Sequence, residues 1–254
     1  MNYELTCRLG VEKLHRFFAE RTGEKEVRLL PEEARHALTV LRLKEGDAVQ
    51  IILEERLYDA EILSVRDGVT AELKGALPDP EPAVRVTLVQ GLPKADKMDW
   101  IVQKCTEAGV YAVMPAEMPR CVVRLSGKDG VKKAERWQKI AAEAAKQSGR
   151  ARVPAVTAPA ALEKVLSAMP QNALLIVPWE EEKAFPLRRA AAEHPDAKDI
   201  FLVIGPEGGM WEEEIAFLKS KGAVPVTMGP RIFRTETAAV AAVILTLSVS
   251  GAYD

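Results

Sequence analysis

Two short segments in the last third of the chain carry the residues best suited to chemistry. The first, Phe201-Leu202-Val203-Ile204-Gly205-Pro206-Glu207-Gly208-Gly209, is an apolar strand running into a glycine-rich turn, with a helix expected from about Trp211 to Lys221. Glycines let backbone approach a ligand closely, and the free N–H groups at a helix start can receive its polar atoms. A plain strand-to-helix connection would have the same pattern. There is no G-x-G-x-x-G and no G-x-x-x-x-G-K-[ST], so neither a dinucleotide nor a nucleoside triphosphate is the expected ligand. The second segment, Met228-Gly229-Pro230-Arg231-Ile232-Phe233-Arg234-Thr235-Glu236-Thr237, leads into an apolar helix over 238–249, which Thr235 or Thr237 is placed to cap. Arg231, Arg234 and Glu236 then stand near the C-terminal edge of a sheet, where open α/β folds bind ligands. The alternative is two solvated arginines and a glutamate that complements the helix dipole.

A third segment bears on charge. The 254 residues sum to a formal net charge of -2, which argues against a uniformly basic nucleic-acid binder. Between Pro119 and Arg152, however, Arg120, Arg124, Lys128, Lys132, Lys133, Arg136, Lys139, Lys146, Arg150 and Arg152 face only Asp129, Glu135 and Glu143. Such a surplus suits phosphates, although most charged helix faces are only solvated. Lys94 and Lys97, at a strand-to-helix junction, are further candidates for a polyanion; Asp96 is expected to cap the helix and Trp100 to pack in its core. Cys7, Cys105 and Cys121 form no C-x-x-C pair, and His15, His36 and His194 lack partners at ligand spacing, so no disulfide framework and no metal site are expected.

These segments need a scaffold, and composition permits one: 48% of residues are hydrophobic and 28% charged, as in ordinary globular domains. Pro78, Pro80 and Pro82 mark an extended linker. Before it, a short helix opening at Pro31-Glu32-Glu33, a turn at Gly46-Asp47, strands over 48–53, 58–65 and 69–73, and a turn at Asp67-Gly68 predict a small β-rich domain. After it, Val84, Val86 and Leu88 begin a strand at period two, followed by a helix from about Asp96 to Ala108 stopped at Gly109. A second helix over 131–148 carries Trp137, Ile140, Ala141, Ala144 and Ala145 on one stripe. The apolar runs Leu174 to Val177 and Phe201 to Ile204 predict a parallel sheet covered on both faces, hence an α/β domain. Met1 to Lys13 contain no apolar block of a secretory signal, and 238–249 is too short to span a membrane, so a cytoplasmic protein is expected.

Taken in order, the chain resembles the ribosomal RNA small subunit methyltransferase E family, the 16S rRNA uridine-N3 methyltransferases of the SPOUT superfamily. The resemblance runs from Leu14-His15-Arg16-Phe17-Phe18 through His36 to Lys44, Gly46-Asp47, Lys97 to Glu107 with Gly109-Val110, Arg136 to Ala141, Gln147 to Arg150 and Ile204 to Gly209, ending at Gly229 to Ala238. It implies a PUA-like RNA-binding β-barrel over 14–77, a linker over 78–83 and a SPOUT α/β methyltransferase domain with a C-terminal trefoil knot over 84–254; residues 1–13 form an extension to which nothing is carried over. It implies a homodimer and S-adenosyl-L-methionine held by Val177, Pro178, Ile204, Gly205, Pro206, Glu207, Gly208, Gly209, Met228, Gly229, Arg231, Ile232, Phe233, Thr235, Thr237 and Ala238. The substrate it implies is a decoding-centre uridine of 16S rRNA in the small ribosomal subunit, and RNA contacts are expected at Arg16, Arg42, Lys94, Lys97, Arg120, Arg124, Lys132, Lys133, Arg136 and Arg150.

Uracil N3 carries a proton that must leave before or during methyl transfer. An arginine near O2 or O4 would stabilise the developing charge and a carboxylate would accept the proton; Arg234 and Glu236 are the candidates. A side chain at Gly208 is expected to enter the adenosine pocket and abolish cofactor binding. The competing reading is an RNA-binding ribosome-assembly factor of the same fold without catalysis.

Overall fold

A computed structural model describes residues 14–125 and 127–253; the extension 1–13 lies outside the described residues. The chain divides between Pro80 and Glu81 into two units, each with its own hydrophobic core. In the first, β1 (Arg16–Arg21), β2 (Glu26–Leu29), β3 (Ala48–Leu53), β4 (Arg56–Ser64) and β5 (Thr70–Ala76) close into a barrel in the order β1-β2-β5-β4-β3, with helix α1 (Pro31–Thr39) inserted after β2. Closure removes the exposed edges that five short strands would otherwise present. Alternation points Val27, Leu29, Ala71 and Leu73 inward with Phe17, Val49 and Ile51. β1 and β2 are not among the expected strands. β2 has four residues, too few to show a period, and β1 is completed by a parallel pairing with β3, far along the chain. Leu53 pairs with Arg56 across a two-residue turn in which Glu54 (φ 52°) and Glu55 (φ 62°) both take the left-handed conformation a type I′ hairpin requires.

The second unit is a seven-stranded, wholly parallel sheet: β6 (Arg85–Gly91), β7 (Ala112–Glu117), β8 (Ala155–Val156), β9 (Ala160–Ala161), β10 (Leu174–Pro178), β11 (Asp199–Ile204) and β12 (Val224–Val226). The order is β12-β10-β11-β6-β7-β8, with β9 also pairing to β7. Helices α2 (Lys97–Glu107), α3 (Gly127–Ser148), α4 (Leu162–Leu166), α5 (Leu187–Ala192), α6 (Glu212–Ser220) and α7 (Thr235–Val249) connect and cover it. β6 corrects the period-two expectation. Val86 to Gly91 are all buried, because the strand lies between β11 and β7 under helices, and a strand covered on both faces has no polar side. α7, almost wholly apolar, packs on α2, α5, β6 and β11 and buries Ala239, Ala242, Val243 and Leu247, while Ile244 stays exposed.

Glu81, at the end of the proline-rich junction, is held firmly. Glu81 takes the Arg150 guanidinium at 2.5 Å and accepts the backbone N–H groups of Ala151 and Arg152 at 3.0 and 3.1 Å. Arg150 in turn donates to the carbonyls of Thr106 and Val110 at the end of α2, at 3.0 and 2.8 Å. Arg150, expected at the RNA, is instead 6% exposed, with its Nε, Nη1 and Nη2 donating inside the domain. A buried charge stripped of its partner is costly, so Glu81→Ala is expected to lower the stability of this domain by about 3 kcal/mol in denaturant titration.

Candidate functional site

The C-terminal ends of β10 and β11 and the start of α7 surround a cleft of about 540 Å³. Its tightest construction is below the glycine turn. A Cβ added to Gly91, the last residue of β6, would stand 2.7 Å from Pro206, so glycine is what allows the turn to lie against that strand. Gln90, opposite Ile204 in the β6–β11 register, donates through Nε2 to the Gly91 carbonyl and to Thr235 Oγ1, both at 2.9 Å. The Thr235 hydroxyl donates to the Gly205 carbonyl at 2.6 Å. Thr235 thus ties the start of α7 to the turn, and the expectation that Thr235 or Thr237 caps α7 is corrected: Arg234 is the N-cap residue and no side chain caps.

Pro178, Ile204, Gly205, Pro206, Glu207, Gly208, Gly209, Met228, Gly229, Arg231, Ile232, Phe233, Thr235 and Ala238 all line this one cleft. Two residues expected there do not line it: Val177 is fully buried in β10, and Thr237 is exposed outside it. Lys97, Trp179, Glu180, Lys183, Met210, Thr227, Pro230 and Arg234 complete the wall; Trp179, Glu180 and Lys183 follow closely on the β10 apolar run, the signal that pointed to them. Gly208 corrects a further expectation. A Cβ there would meet Arg120 Cβ at 3.0 Å and the Arg120 carbonyl at 3.3 Å, so a side chain would press on the 118–121 turn and not fill the cleft.

Arg234 lines the cleft, and Glu236 lies close to Lys97, a lining residue that the sequence suggested as a phosphate contact. Lys97 Nζ is 2.9 Å from Glu207 Oε1 and 3.2 Å from Glu236 Oε2. The Lys94 backbone N–H donates to the same Glu207 oxygen at 3.0 Å, and Ala95 between them is held at φ 54°, a strained conformation for a residue with a Cβ. Lys97 is thus a strut between α2, the glycine turn and α7. Burial pushes Glu207 up, but the Lys97 ammonium and the Lys94 N–H outweigh it and leave its carboxyl below 4.5. The hydrogen bond to Glu207 raises Lys97 above 10.5.

The remaining basic candidates are spread over both units. Arg120, Arg124, Lys132 and Arg136 are exposed on or just before α3, with Lys133 half-buried among them. Arg136 pairs with Asp99, which also accepts from Trp137 Nε1 at 3.0 Å. Lys94 is exposed; on the barrel, Arg16 donates to Gln50 at 2.6 Å and Arg42 is exposed. Asp96 occupies the N-cap position of α2 but makes no side-chain capping bond, and Trp100 is 42% exposed on α2 instead of packing in its core. Among the described residues, no group of three His, Cys, Asp or Glu side chains is placed to hold a metal ion, and no helix is long and apolar enough to cross a membrane.

A closed five-stranded barrel joined to a parallel α/β domain with this cleft defines a class, the two-domain RNA methyltransferases: residues 29–74 match the RNA methyltransferase PUA domain and residues 80–247 the RNA methyltransferase domain. A ribosomal RNA small subunit methyltransferase E of Bacillus subtilis is 35% identical over 89% of this chain and 93% of its own, and one of Mycobacterium tuberculosis is 34% identical over 83% and 82%. The crystal structure of a ribosomal RNA small subunit methyltransferase E from Neisseria gonorrhoeae bound to S-adenosyl methionine superposes with a TM-score of 0.75 at 32% identity, over 91% of this chain and 96% of that one. The chain belongs to the ribosomal RNA small subunit methyltransferase E family.

The Lys97 strut has a pH signature. The carboxyl of Glu207 is depressed, so its contribution is present above pH 4.5 and lost as the pH falls through its lower folded value; that of Lys97 is present below pH 10.5 and lost as the pH rises through its higher one. Glu207→Gln is expected to cost about 1 kcal/mol at neutral pH, given the partial exposure of the pair, and the deficit should shrink toward zero as unfolding is measured at pH values below 4.5.

Proposed function

We propose that this chain transfers a methyl group from S-adenosyl-L-methionine to N3 of one decoding-centre uridine in the 16S rRNA of the small ribosomal subunit. The observation that carries the reading is the convergence of two sequence-distant segments, 204–210 and 227–235, on one cleft, in a chain whose relative binds S-adenosyl methionine. The cleft fits that cofactor. Its volume suits a nucleoside-sized ligand, one wall is glycine backbone able to lie flat against it, and Met228, Ile232 and Phe233 supply apolar surface.

The bound cofactor supplies an electrophilic methyl group on a sulfonium. Everything else falls to this chain's side chains. Arg234, at the mouth of the cleft, stabilises the charge that develops on a uracil carbonyl oxygen, and Glu236 accepts the N3 proton. Glu236 is the carboxylate next to Arg234 at the start of α7, and the Lys97 ammonium, 3.2 Å from its Oε2, holds it in place in its ionised form. The basic residues at 120–136, with Arg16, Arg42 and Lys94, hold phosphates.

A homodimer belongs to the same reading. It is supported by the exposed Trp100 on α2 and Ile244 on α7, two apolar side chains on helices that pack together. So does a trefoil knot, supported by the return of Thr235 to Gly205 after β12 is complete. We read the domains as 14–77 and 84–254 about a linker at 78–83, and the setting as the cytoplasm, where ribosomal subunits are found.

Purified protein, labelled S-adenosyl-L-methionine and small subunits lacking native modifications are expected to give label on N3 of a single uridine by mass spectrometry. Cofactor and subunit binding without transfer would instead establish the non-catalytic assembly factor. In that assay Arg234→Ala and Glu236→Gln should each lower kcat on the order of 100-fold with cofactor affinity retained. Reversing charge at Lys132 and Lys133 should weaken subunit binding and reduce the slope of log affinity against log salt by about one to two; an unchanged slope would remove α3 from the RNA surface.

A further inference from the structure

Arg120, a candidate phosphate contact, is also attached to the cofactor cleft. Its guanidinium donates through Nη1 to the Gly208 carbonyl at 2.5 Å and lies 5.7 Å over the Trp211 ring, at the N-cap of α6. Its own Cβ occupies the space a Gly208 side chain would need. Gly208 lines the cofactor cleft and Arg120 does not, so Arg120 grips from outside the turn that forms the wall inside. The guanidinium has five N–H donors in a fixed plane, and the residue is exposed at the start of the basic stretch.

We propose that Arg120 is a positioning residue that couples the two substrates: an RNA phosphate engaging its exposed donors stiffens the 205–209 turn, so that RNA tightens cofactor binding and cofactor tightens RNA binding. This rests on the methyltransferase reading above. Reciprocity is required of any such coupling, and its usual size is at least about fivefold in affinity. An arginine serves better than a lysine because the planar group can stack on Trp211 and bond Gly208 while still presenting an edge to a phosphate.

The test is equilibrium dialysis of labelled S-adenosylhomocysteine, which cannot react, against full-length protein with and without saturating unmethylated small subunits. For wild type the Kd should fall about fivefold or more when subunits are present. Arg120→Ala should bind S-adenosylhomocysteine more weakly and no longer respond to subunits. Arg120→Lys, which keeps the charge but not the plane, should respond less than wild type, and it decides the matter if the alanine variant does not fold. Lys164→Ala, which removes one positive charge from the surface of α4, should respond as wild type does. A role in holding the turn alone would weaken binding equally in both conditions, leaving the response intact, and that result would overturn the coupling. So would a wild-type Kd indifferent to subunits in an enzyme that methylates them. Failure of wild type to bind S-adenosylhomocysteine at all would overturn the cofactor reading itself along with this one.

Discussion

The cleft depends on one buried hydroxyl. Thr235, 6% exposed, sits where the start of α7, the end of β11 and the end of β6 meet, and its oxygen both donates to the Gly205 carbonyl and accepts from Gln90. Gly205 follows the last residue of β11, and Gln90 presents its side-chain amide from the strand alongside. Polar groups taken out of water must find one another, so this small network fixes α7 relative to the turn more sharply than apolar packing would. Gly91 lets Pro206 settle directly against β6, and the wall of the cleft is the outcome.

Around that point the charges divide between structural and free. Arg150 and Glu81 form a buried pair that anchors the end of the proline-rich junction to the domain that follows it, while Lys97 joins three elements through two carboxylates. Arg136 is partly occupied by Asp99. Of the basic surplus read from the chain, Arg120, Arg124, Lys128 and Lys132 are exposed, so a protein of net charge -2 presents a basic stretch without being basic throughout.

The arrangement also explains why ligand binding falls at this edge of the sheet. Strands of a parallel sheet all end on the same side, so β10, β11 and β12 deliver their following loops to one place, and the segment after β12 closes over the turn after β11. The strain at Ala95 lies in the corresponding loop after β6, where Glu207 accepts the N–H of the preceding Lys94.

Much of this was legible in the chain. The apolar runs at 174–177 and 201–204, the glycine turn after the second and the 228–238 segment announced themselves through composition and local order, because burial on both faces of a strand and the turn chemistry of glycine leave marks on neighbouring residues. The resemblance joined the two segments into one site. What the chain alone could not decide was which charged and aromatic side chains each element would meet. Arg150 and Lys97 looked like phosphate ligands, Trp100 like core and Gly208 like the floor of a pocket, since each has the right type at a plausible place. The partners that three of them meet, Glu81, Glu207, Glu236 and Arg120, lie far away along the chain, and only the folded sheet brings them within a few ångströms. Local sequence determined the segments of the site and part of the elements; tertiary structure supplied the others, such as β1 through its pairing with β3, and decided the side-chain pairings, because electrostatic and steric contacts act over distance in space, which the order of residues does not record.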